Sequence, residues 1–437
     1  MIERQQLVDE GRDLTTVAAE FDALTLMDIE TNPEDQTCAN ALLDRTIKLP
    51  MRNDYTFAEP SDLAGIRDAR SENRWRAPQT VSDDALFDKV LGAWLGRTAG
   101  CLLGKPVEGW RSARLWGYLQ DLGRFPLDRY ITSDAPAEIV DKYQISRDRA
   151  FIDRVSRMTE DDDLNYTVTG LAILKQHGVN FTPLDVATFW MQNLPLLRTY
   201  TAERVAYRNF CRLIAPPKSA QYRNPYREWI GAQIRADFWG YAALRNPELA
   251  AELAWRDASV SHIKNGIYGE MWIAAMLAAA PFLQDPREVI EIGLAEIPQQ
   301  SRLASDVHEV IGWYTDRMTY EDAARRIHQR WDESNPHHWT HTNSNAQIVA
   351  VGLLWGDGDF ARSICRAVQV CFDTDCNGAT VGSIVGMMRG AKQLADEWIR
   401  PLNDTLETCV RGFGVRRISE LAREGFELYR AIREQPR

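Results

Sequence analysis

The chain has 437 residues, of which 45% are hydrophobic and 26% charged, so it can bury a large core without disulfides. Its 51 basic and 62 acidic residues give a net charge of −11, which disfavours general binding to nucleic-acid backbones. The seven cysteines form no CxxC pair, which indicates free thiols in a reducing compartment. No apolar run reaches the roughly 20 residues that span a membrane. We therefore expect a soluble, cytoplasmic protein without a signal peptide.

Helical periodicity dominates the sequence from its first residue. Apolar side chains recur at spacings of three and four in one long N-terminal stretch and in several later ones. These predicted helices cover residues 1–27, 85–103, 166–177, 184–197, 268–283, 288–294, 320–331, 346–355, 360–370, 379–394 and 418–435. The alternating runs of Val, Ile and Thr that are typical of strands are absent. The sequence therefore predicts an all-α fold.

The helical pattern is interrupted between residues 40 and 85, where Pro, Asn, Asp and Ser cluster in turn-like groups. We place a boundary near residues 78–84. It divides the chain into an N-terminal helical extension (1–84) and one large helical domain (85–437).

Two of the predicted helices carry a glycine at every fourth position. A glycine weakens a helix unless close packing requires it, and spacing by four places all of them on one face. The two stripes are Gly92, Gly96, Gly100 and Gly104, and Gly378, Gly382, Gly386 and Gly390. We expect the helices to pack against each other through Gly96, Gly100, Gly382 and Gly386. That pairing would bring Glu108, just after the first stripe, close to the carboxylates described next.

Carboxylates cluster at two distant places, each at the start of a helix. Residues 160–163 form the run Glu-Asp-Asp-Asp, and Asp373 and Asp375 flank Thr374. Carboxylates at a first helical turn often serve only to complement the helix dipole. Two separated clusters of hard oxygen ligands, however, are what Mg²⁺ or Mn²⁺ sites use.

A fourth patch lies at the predicted start of a helix, in the segment SVSHIKNGIYGE (259–270). His262, Asn265, Gly266 and Tyr268 occur together there, which suits the binding of a polar or anionic ligand. The alternative is a buried, hydrogen-bonded histidine that contacts no ligand.

These four patches occur in the order typical of the ADP-ribosylglycohydrolase family, which the sequence resembles across residues 86–395. The segment GCLLGKPVE (100–108) is similar to that family's GDALGxPxE, with Cys101 at the family's aspartate. TEDD (159–162) corresponds to TDDT, DTDC (373–376) to DTDT or DTDS, and Ser261-His262 to Thr-His. The resemblance covers neither the extension nor residues 224–231.

The resemblance implies a compact orthogonal helical domain with two Mg²⁺ or Mn²⁺ ions in a central cleft. By position, the metal ligands would be Thr159, Glu160, Asp161, Asp373 and Asp375, with Asp375 bridging the ions. A slip of one residue would make Asp161 and Asp162 the ligands instead. Catalytic residues would be Glu108, Asp161 and Asp373, and substrate contacts would come from Glu108, His262, Asn265, Gly266, Tyr268 and Gly378.

The activity that the resemblance implies is hydrolysis of an N-glycosidic bond to ribose in a small-molecule or ADP-ribosylated substrate. The acceptor stays open, as does the oligomeric state. Two residues depart from the family pattern. Glu160 is longer than the usual aspartate by one methylene, and Cys376 replaces a hydroxyl with a softer thiol.

Two other functions fit parts of the sequence. One is a non-catalytic binding or structural protein of the same fold. The other is a haloacid-dehalogenase-type phosphatase, whose nucleophile motif resembles the segment from Val370 to Asp375 but must follow a β-strand. Substantial strand content would favour the phosphatase.

Aromatic and basic residues at 224–231 (NPYREWIG) and 331–339 suggest a cleft narrowed around a flat group. The simpler alternative is that Tyr226, Trp229 and Trp239 belong to the core and that Arg227 pairs with an acid.

Overall fold

A computed structural model describes residues 1–77, 81–146 and 148–434 of the chain. The chain is 63% helical, and the strands of the described residues form one small antiparallel sheet. The all-α prediction is therefore confirmed. None of the helices in these ranges combines the length and apolarity that crossing a membrane requires.

The described part of the N-terminal extension contains α1 (Ile2–Asp9), α2 (Ala18–Leu24), α3 (Pro33–Thr46) and α4 (Leu63–Ala69). The first half of the large domain contains α5 (Asp83–Gly104), α6 (Ser112–Asp121), α7 (Ala137–Tyr143), α8 (Asp162–His177), α9 (Pro183–Asn193), α10 (Thr201–Cys211), α11 (Lys218–Gln221), α12 (Asp237–Ala242) and α13 (Pro247–Ala258). The second half contains α14 (Lys264–Ala279), α15 (Pro286–Leu294), α16 (Arg302–Thr315), α17 (Tyr320–Arg330), α18 (Pro336–Thr340), α19 (Thr342–Gly356), α20 (Phe360–Gln369), α21 (Thr374–Arg389), α22 (Asp396–Ile399), β1 (Thr405–Glu407), β2 (Val415–Arg417) and α23 (Ile418–Glu434).

The first and last helices of residues 85–437 begin near their predicted positions. Helix α5 begins at Asp83, inside the predicted boundary of 78–84, of which residues 78–80 are outside the described ranges. Helix α23 begins at Ile418 as predicted and is described as far as Glu434, whereas Gln435 lies outside those ranges.

Residues 1–27 do not form the one long helix that their periodicity predicts. Helix α1 ends at Asp9, and Gly11 follows with a φ of +73°, a conformation that interrupts a right-handed helix. Arg12 then pairs with Met51 in an isolated bridge, and its guanidinium donates to the carbonyl of Leu49 at 2.7 Å. The chain turns here because contacts with residues 49–51 outweigh the local helical preference.

Helices α5 and α21 pack together along their glycine stripes, as predicted. A Cβ atom added at Gly100 would lie 1.9 Å from the carbonyl oxygen of Gly378. A Cβ atom added at Gly96 would lie 2.1 Å from the carbonyl oxygen of Gly382, and one added at Gly386 would lie 2.2 Å from the carbonyl oxygen of Gly92. The two backbones therefore touch, and only glycine fits between them.

The extension docks on the large domain through buried ion pairs. The guanidinium of Arg227 donates to Glu3 and to Glu10 of the extension, each at 2.6 Å. Glu59 accepts hydrogen bonds from Arg302 at 2.8 Å and from the amide of Asn265 at 2.8 Å. Arg227 thus pairs with acids, which is the simpler of the two expectations for this residue.

We expect Arg227→Met to loosen this docking, because the variant leaves the carboxylate of Glu3 buried without its cation. Removing one member of a buried ion pair typically costs about 3–5 kcal/mol. Hydrogen exchange and limited proteolysis should show faster opening of residues 1–60 than in the unmodified protein.

Arg4→Met is the matched control, since Arg4 pairs with Asp22 at an exposed position within the extension. Loss of such a pair costs about 0–1 kcal/mol. Equal protection of the extension in the two variants would show that the Arg227 cluster does not hold it in place.

Candidate functional site

Both acidic clusters open onto one cavity of about 430 Å³ in the large domain. The extended loop after α5 brings Glu108 to the same cavity. The carboxylates that line it are those of Glu108, Glu160, Asp161, Asp162, Glu203, Asp373 and Asp375. Residues more than 200 positions apart in the sequence therefore meet at one place.

The contact between α5 and α21 positions Glu108 beside Asp373 and Asp375. Helix α5 ends at Gly104 and continues into a 3₁₀ turn, Lys105–Val107, which Glu108 follows. The hydroxyl of Thr374 donates to the carbonyl of Gly104 at 2.9 Å and joins the end of one helix to the start of the other. The guanidinium of Arg149 donates to the carbonyl of Glu108 at 2.8 Å and holds the loop.

The run of acids at 160–163 does not act as one cluster. Asp161 caps α8, because its Oδ1 accepts from the backbone N–H of Asp163 at 3.0 Å. The side chain of Asp163 is fully buried behind the cavity lining and pairs with Arg97 at 3.0 Å. Glu160 accepts from the amide of Asn165 at 2.7 Å. Asp162 lines the cavity.

The backbone before Asp373 is strained. Cys371 and Phe372 have φ values of +75° and +60°, in the left-handed region that residues with a side chain rarely adopt. The amide of Asn377 donates to Oδ1 of Asn345 at 2.8 Å, and the backbone N–H of Asp373 points to the same oxygen at 3.4 Å. Asn345 on α19 thus supports the aspartate pair.

Burial and the charges of neighbouring carboxylates raise the pKa of most cavity carboxyls. Burial and then the charge of Asp161 raise the pKa of Asp375 to about 6. Burial and the neighbouring Asp375 hold the pKa of Asp373 well above its usual range. The charge of Asp375 is the main cause of a raised pKa at Glu108, which lies at the exposed mouth of the cavity. These groups favour protons or another cation.

The residues present fit a divalent cation. Oδ1 of Asp375 is buried and has no hydrogen-bond partner among the described residues. Asp373, Asp375 and Cys376 present ligand atoms that lie within 4.8 Å of one another, and so do Cys101, Asp161, Asp163 and Asp375. Buried oxygen atoms that lack partners near converging carboxylates are what a metal site requires.

Thr159 lies beside this cavity rather than in its lining. It lines a neighbouring cavity that shares Lys105 and Glu108 with the first. Its hydroxyl oxygen is buried and has no hydrogen-bond partner among the described residues. Of the predicted metal ligands, the structure therefore places Glu160, Asp161, Asp373 and Asp375 together, with Thr159 adjacent.

The predicted substrate contacts between residues 262 and 268 do not line this cavity. His262 is buried and does not line the cavity. Its Nδ1 forms a hydrogen bond with the hydroxyl of Ser261 at 2.8 Å. Asn265 bonds to Glu59, and Tyr268 donates to the carbonyl of Pro60, so both contact the extension. Gly266 packs near the ring of His262.

Gly378 also lies away from the cavity lining. It packs against the carbonyl of Gly100 in the contact between α5 and α21. Its spacing with the other glycines of α21 accounts for this position.

Several cavity residues escaped the sequence analysis. The cavity lining also contains Lys105, Arg198, Tyr166 and Tyr200. It further contains Glu203, whose carboxylate pairs with Arg235 at 2.6 Å. Lys105 stands inside the GCLLGKPVE segment and was detectable by its position beside Glu108. No local signal marks the others, because they come from unrelated helices and loops.

The two aromatic segments have mixed positions. The cavity lining includes Ile230 and Gly231 from the segment 224–231. It also includes Trp339, at the end of the segment 331–339, and the following residue, Thr340. Trp229 is buried and donates to Nδ1 of His337 at 3.0 Å, and Trp239 is buried in the core. Both tryptophans thus follow the simpler expectation.

The helical fold around Asp373 does not suit a haloacid-dehalogenase-type phosphatase. Asp373 follows α20 and begins α21, whereas the phosphatase motif follows a strand. The strands of the described residues lie at 405–417, beyond this motif.

The sequence of this chain resembles one described family over most of its length. A solved structure described as an ADP-ribosylglycohydrolase-related protein complex is 18% identical, with a TM-score of 0.46, and the match covers 79% of this chain and 99% of that one. No curated protein sequence matches this chain. The sequence model described as ADP-ribosylglycohydrolase matches residues 82–436, which include every carboxylate that lines the cavity. The chain belongs to the ADP-ribosylglycohydrolase family.

Proposed function

We propose that this protein is a metal-dependent hydrolase that cleaves an N-glycosidic bond to ribose, in an ADP-ribosyl group or a related ribosylated compound. The observation that carries the proposal is the convergence of Glu108, Asp162, Asp373 and Asp375 on one cavity. Family membership supports glycohydrolysis, and the unpartnered oxygen of Asp375 supports a bound cation.

Asp373 and Asp375 would hold Mg²⁺ or Mn²⁺, with a further oxygen atom from Asp162. When bound, a divalent cation supplies electrophilic stabilisation of ribose hydroxyls and of charge near the reacting carbon.

Glu108 has the position expected of a general base. It lies at the mouth of the cavity, where a carboxylate can accept a proton from an incoming water molecule. The bond between C1′ of ribose and the leaving nitrogen breaks, the water oxygen bonds to C1′, and the nitrogen retains the electron pair and gains a proton.

The direct test is a screen of ribosylated compounds for release of free ribose or ADP-ribose. Activity should require Mn²⁺ or Mg²⁺ and disappear with a chelator. Glu108→Gln should retain metal binding but lower kcat by about 100-fold or more, the usual contribution of a general base. Metal binding without turnover of any ribosylated compound would favour a non-catalytic member of the family.

We further propose that the natural substrate is a small ribosylated metabolite rather than an ADP-ribosylated protein. Trp339 lines the cavity, and the guanidinium of Arg111 lies 5.6 Å from the centre of its ring. A fixed aromatic wall of this kind suits a flat leaving group.

We expect faster turnover of small N-ribosides than of ADP-ribosylated protein at equal concentration. Trp339→Ala should raise KM for the riboside by about 10-fold, the equivalent of a lost aromatic stacking contact of roughly 1–1.5 kcal/mol, and Trp339→Phe should retain most of the affinity. Faster release from the protein substrate would show that the cleft is open to bulky molecules.

A further inference from the structure

The ammonium of Lys105 lies against the segment 159–161, at the first of the two acidic clusters. Its ammonium donates to Oδ2 of Asp161 at 2.5 Å and to the backbone carbonyl of Glu160 at 2.9 Å. The ammonium is therefore held between two oxygens of the segment 159–161. This is the segment to which family resemblance assigns one of two metal ions.

The other carboxylate of that segment also has a cation of its own. The guanidinium of Arg198 lies 2.9 Å from Oε2 of Glu160, and the amide of Asn165 donates to Oε1 of the same residue. Two of the three residues expected to bind the first metal are thus already neutralised by basic side chains. Within the segment 159–161, the buried hydroxyl oxygen of Thr159 has no hydrogen-bond partner among the described residues.

The carboxylates around Asp373 and Asp375 differ in this respect. Among the described residues, Glu108, Asp162, Asp373 and Asp375 form no ion pair with a basic side chain. Asp373, Asp375 and Cys376 present three ligand atoms within 4.8 Å of one another. A divalent cation bound by Asp373 and Asp375 would meet carboxylates that no basic side chain contacts directly, whereas one placed at Asp161 would have to displace the ammonium of Lys105.

We infer that Lys105 is a resident cation that takes the place of one metal ion, so that the protein binds one divalent ion, at Asp373 and Asp375, instead of two. The inference rests on the metal dependence in the proposed function and changes its stoichiometry. The resident ammonium also gives this segment a permanent positive charge that does not depend on the metal concentration.

The test counts bound ions in the full-length protein without substrate. The protein is stripped with a chelator and titrated with Mn²⁺, and binding is followed by calorimetry and by the electron paramagnetic resonance signal of free Mn²⁺. We expect one ion per chain in the unmodified protein and in Lys105→Arg, which keeps the charge. Lys105→Met removes the charge from a side chain of similar length, and we expect it to bind two ions.

Two further variants separate the clusters and keep the test informative if Lys105→Met fails to fold. Asp161→Asn preserves an oxygen that can cap α8, and it should still bind one ion, because Asp161 binds Lys105 instead of metal. Asp373→Asn should lose Mn²⁺ binding by at least 10-fold.

The possible outcomes distinguish this inference from the proposed function. Two ions in the unmodified protein, one ion in a folded Lys105→Met, or loss of binding in Asp161→Asn would overturn the role of Lys105 while leaving metal-dependent hydrolysis intact. The absence of Mn²⁺ binding in the unmodified protein would overturn both.

Discussion

Replacing Gly100 with leucine is expected to separate α5 from α21 and to lower the free energy of unfolding by more than about 3 kcal/mol, the upper part of the range for overpacked cores. Even the first carbon of a side chain would lie 1.9 Å from the carbonyl oxygen of Gly378. A backbone carbonyl cannot rotate away as a flexible side chain can, so the helices themselves must move apart. Urea or thermal unfolding followed by circular dichroism measures the loss.

We expect Gly100→Leu to disturb the cavity as well as the fold, because the contact between α5 and α21 also positions the cavity carboxylates. Gly104 accepts the hydrogen bond from Thr374, and separating the helices breaks it. We therefore expect Gly100→Leu to bind Mn²⁺ weakly even at temperatures where the protein remains helical.

Gly312→Ala is the matched control for the glycine stripe. Gly312 lies in α16, and a Cβ added there would meet no atom within 4 Å. Alanine favours a helix over glycine by up to about 1 kcal/mol, so this variant should be neutral or more stable. A change below about 0.5 kcal/mol in Gly100→Leu would show that the two helices do not approach closely.

Asp375→Asn is expected to abolish activity and Mn²⁺ binding while the protein remains folded. Loss of groups that only orient metal ligands typically costs about 10–100-fold, so loss of a direct ligand should exceed about 100-fold in kcat/KM. Steady-state kinetics at saturating Mn²⁺ and calorimetric titration measure the two effects. Asp396→Asn, at an exposed position in α22, should change neither. Full activity in Asp375→Asn would contradict the metal assignment.

The same variant should be more stable than the unmodified protein when both are free of metal. Burial and the charge of Asp161 raise the pKa of Asp375 from 3.8 to about 6 in the folded state. The folded protein therefore binds this proton more tightly than the unfolded chain, and its stability falls as the pH rises from about 4 to above 6. Asparagine carries no charge, so we expect its melting temperature to exceed that of the unmodified protein at pH 7.5. The difference should vanish near pH 4.

Local sequence patterns were sufficient to predict the helical class and the main contact of the domain. Glycine at every fourth position has one physical reason in both stripes, namely that two backbones approach closely, and the structure confirms this for Gly96, Gly100, Gly382 and Gly386. The acidic motifs were equally visible, since carboxylates at the start of a helix repel one another unless a cation intervenes. The long helix predicted for residues 1–27 was wrong, because periodicity does not register the contacts of Arg12 with residues 49–51.

By itself, the sequence determined the all-α class, the pairing of the two glycine stripes and the residue types that gather at the cavity, because each depends on spacing within a single helix. Only the tertiary structure decided which carboxylates line the cavity and which basic side chain each one pairs with. Asp163 does not line the cavity, and its carboxylate instead pairs with the buried guanidinium of Arg97, 66 positions earlier in the chain. Asp161 forms an ion pair with Lys105, and the side-chain amide of Asn265 donates a hydrogen bond to Glu59 of the extension. The pairing of a buried charge is settled by whichever partner the fold brings within hydrogen-bond distance, and these partners are separated in sequence by 56 to 206 positions.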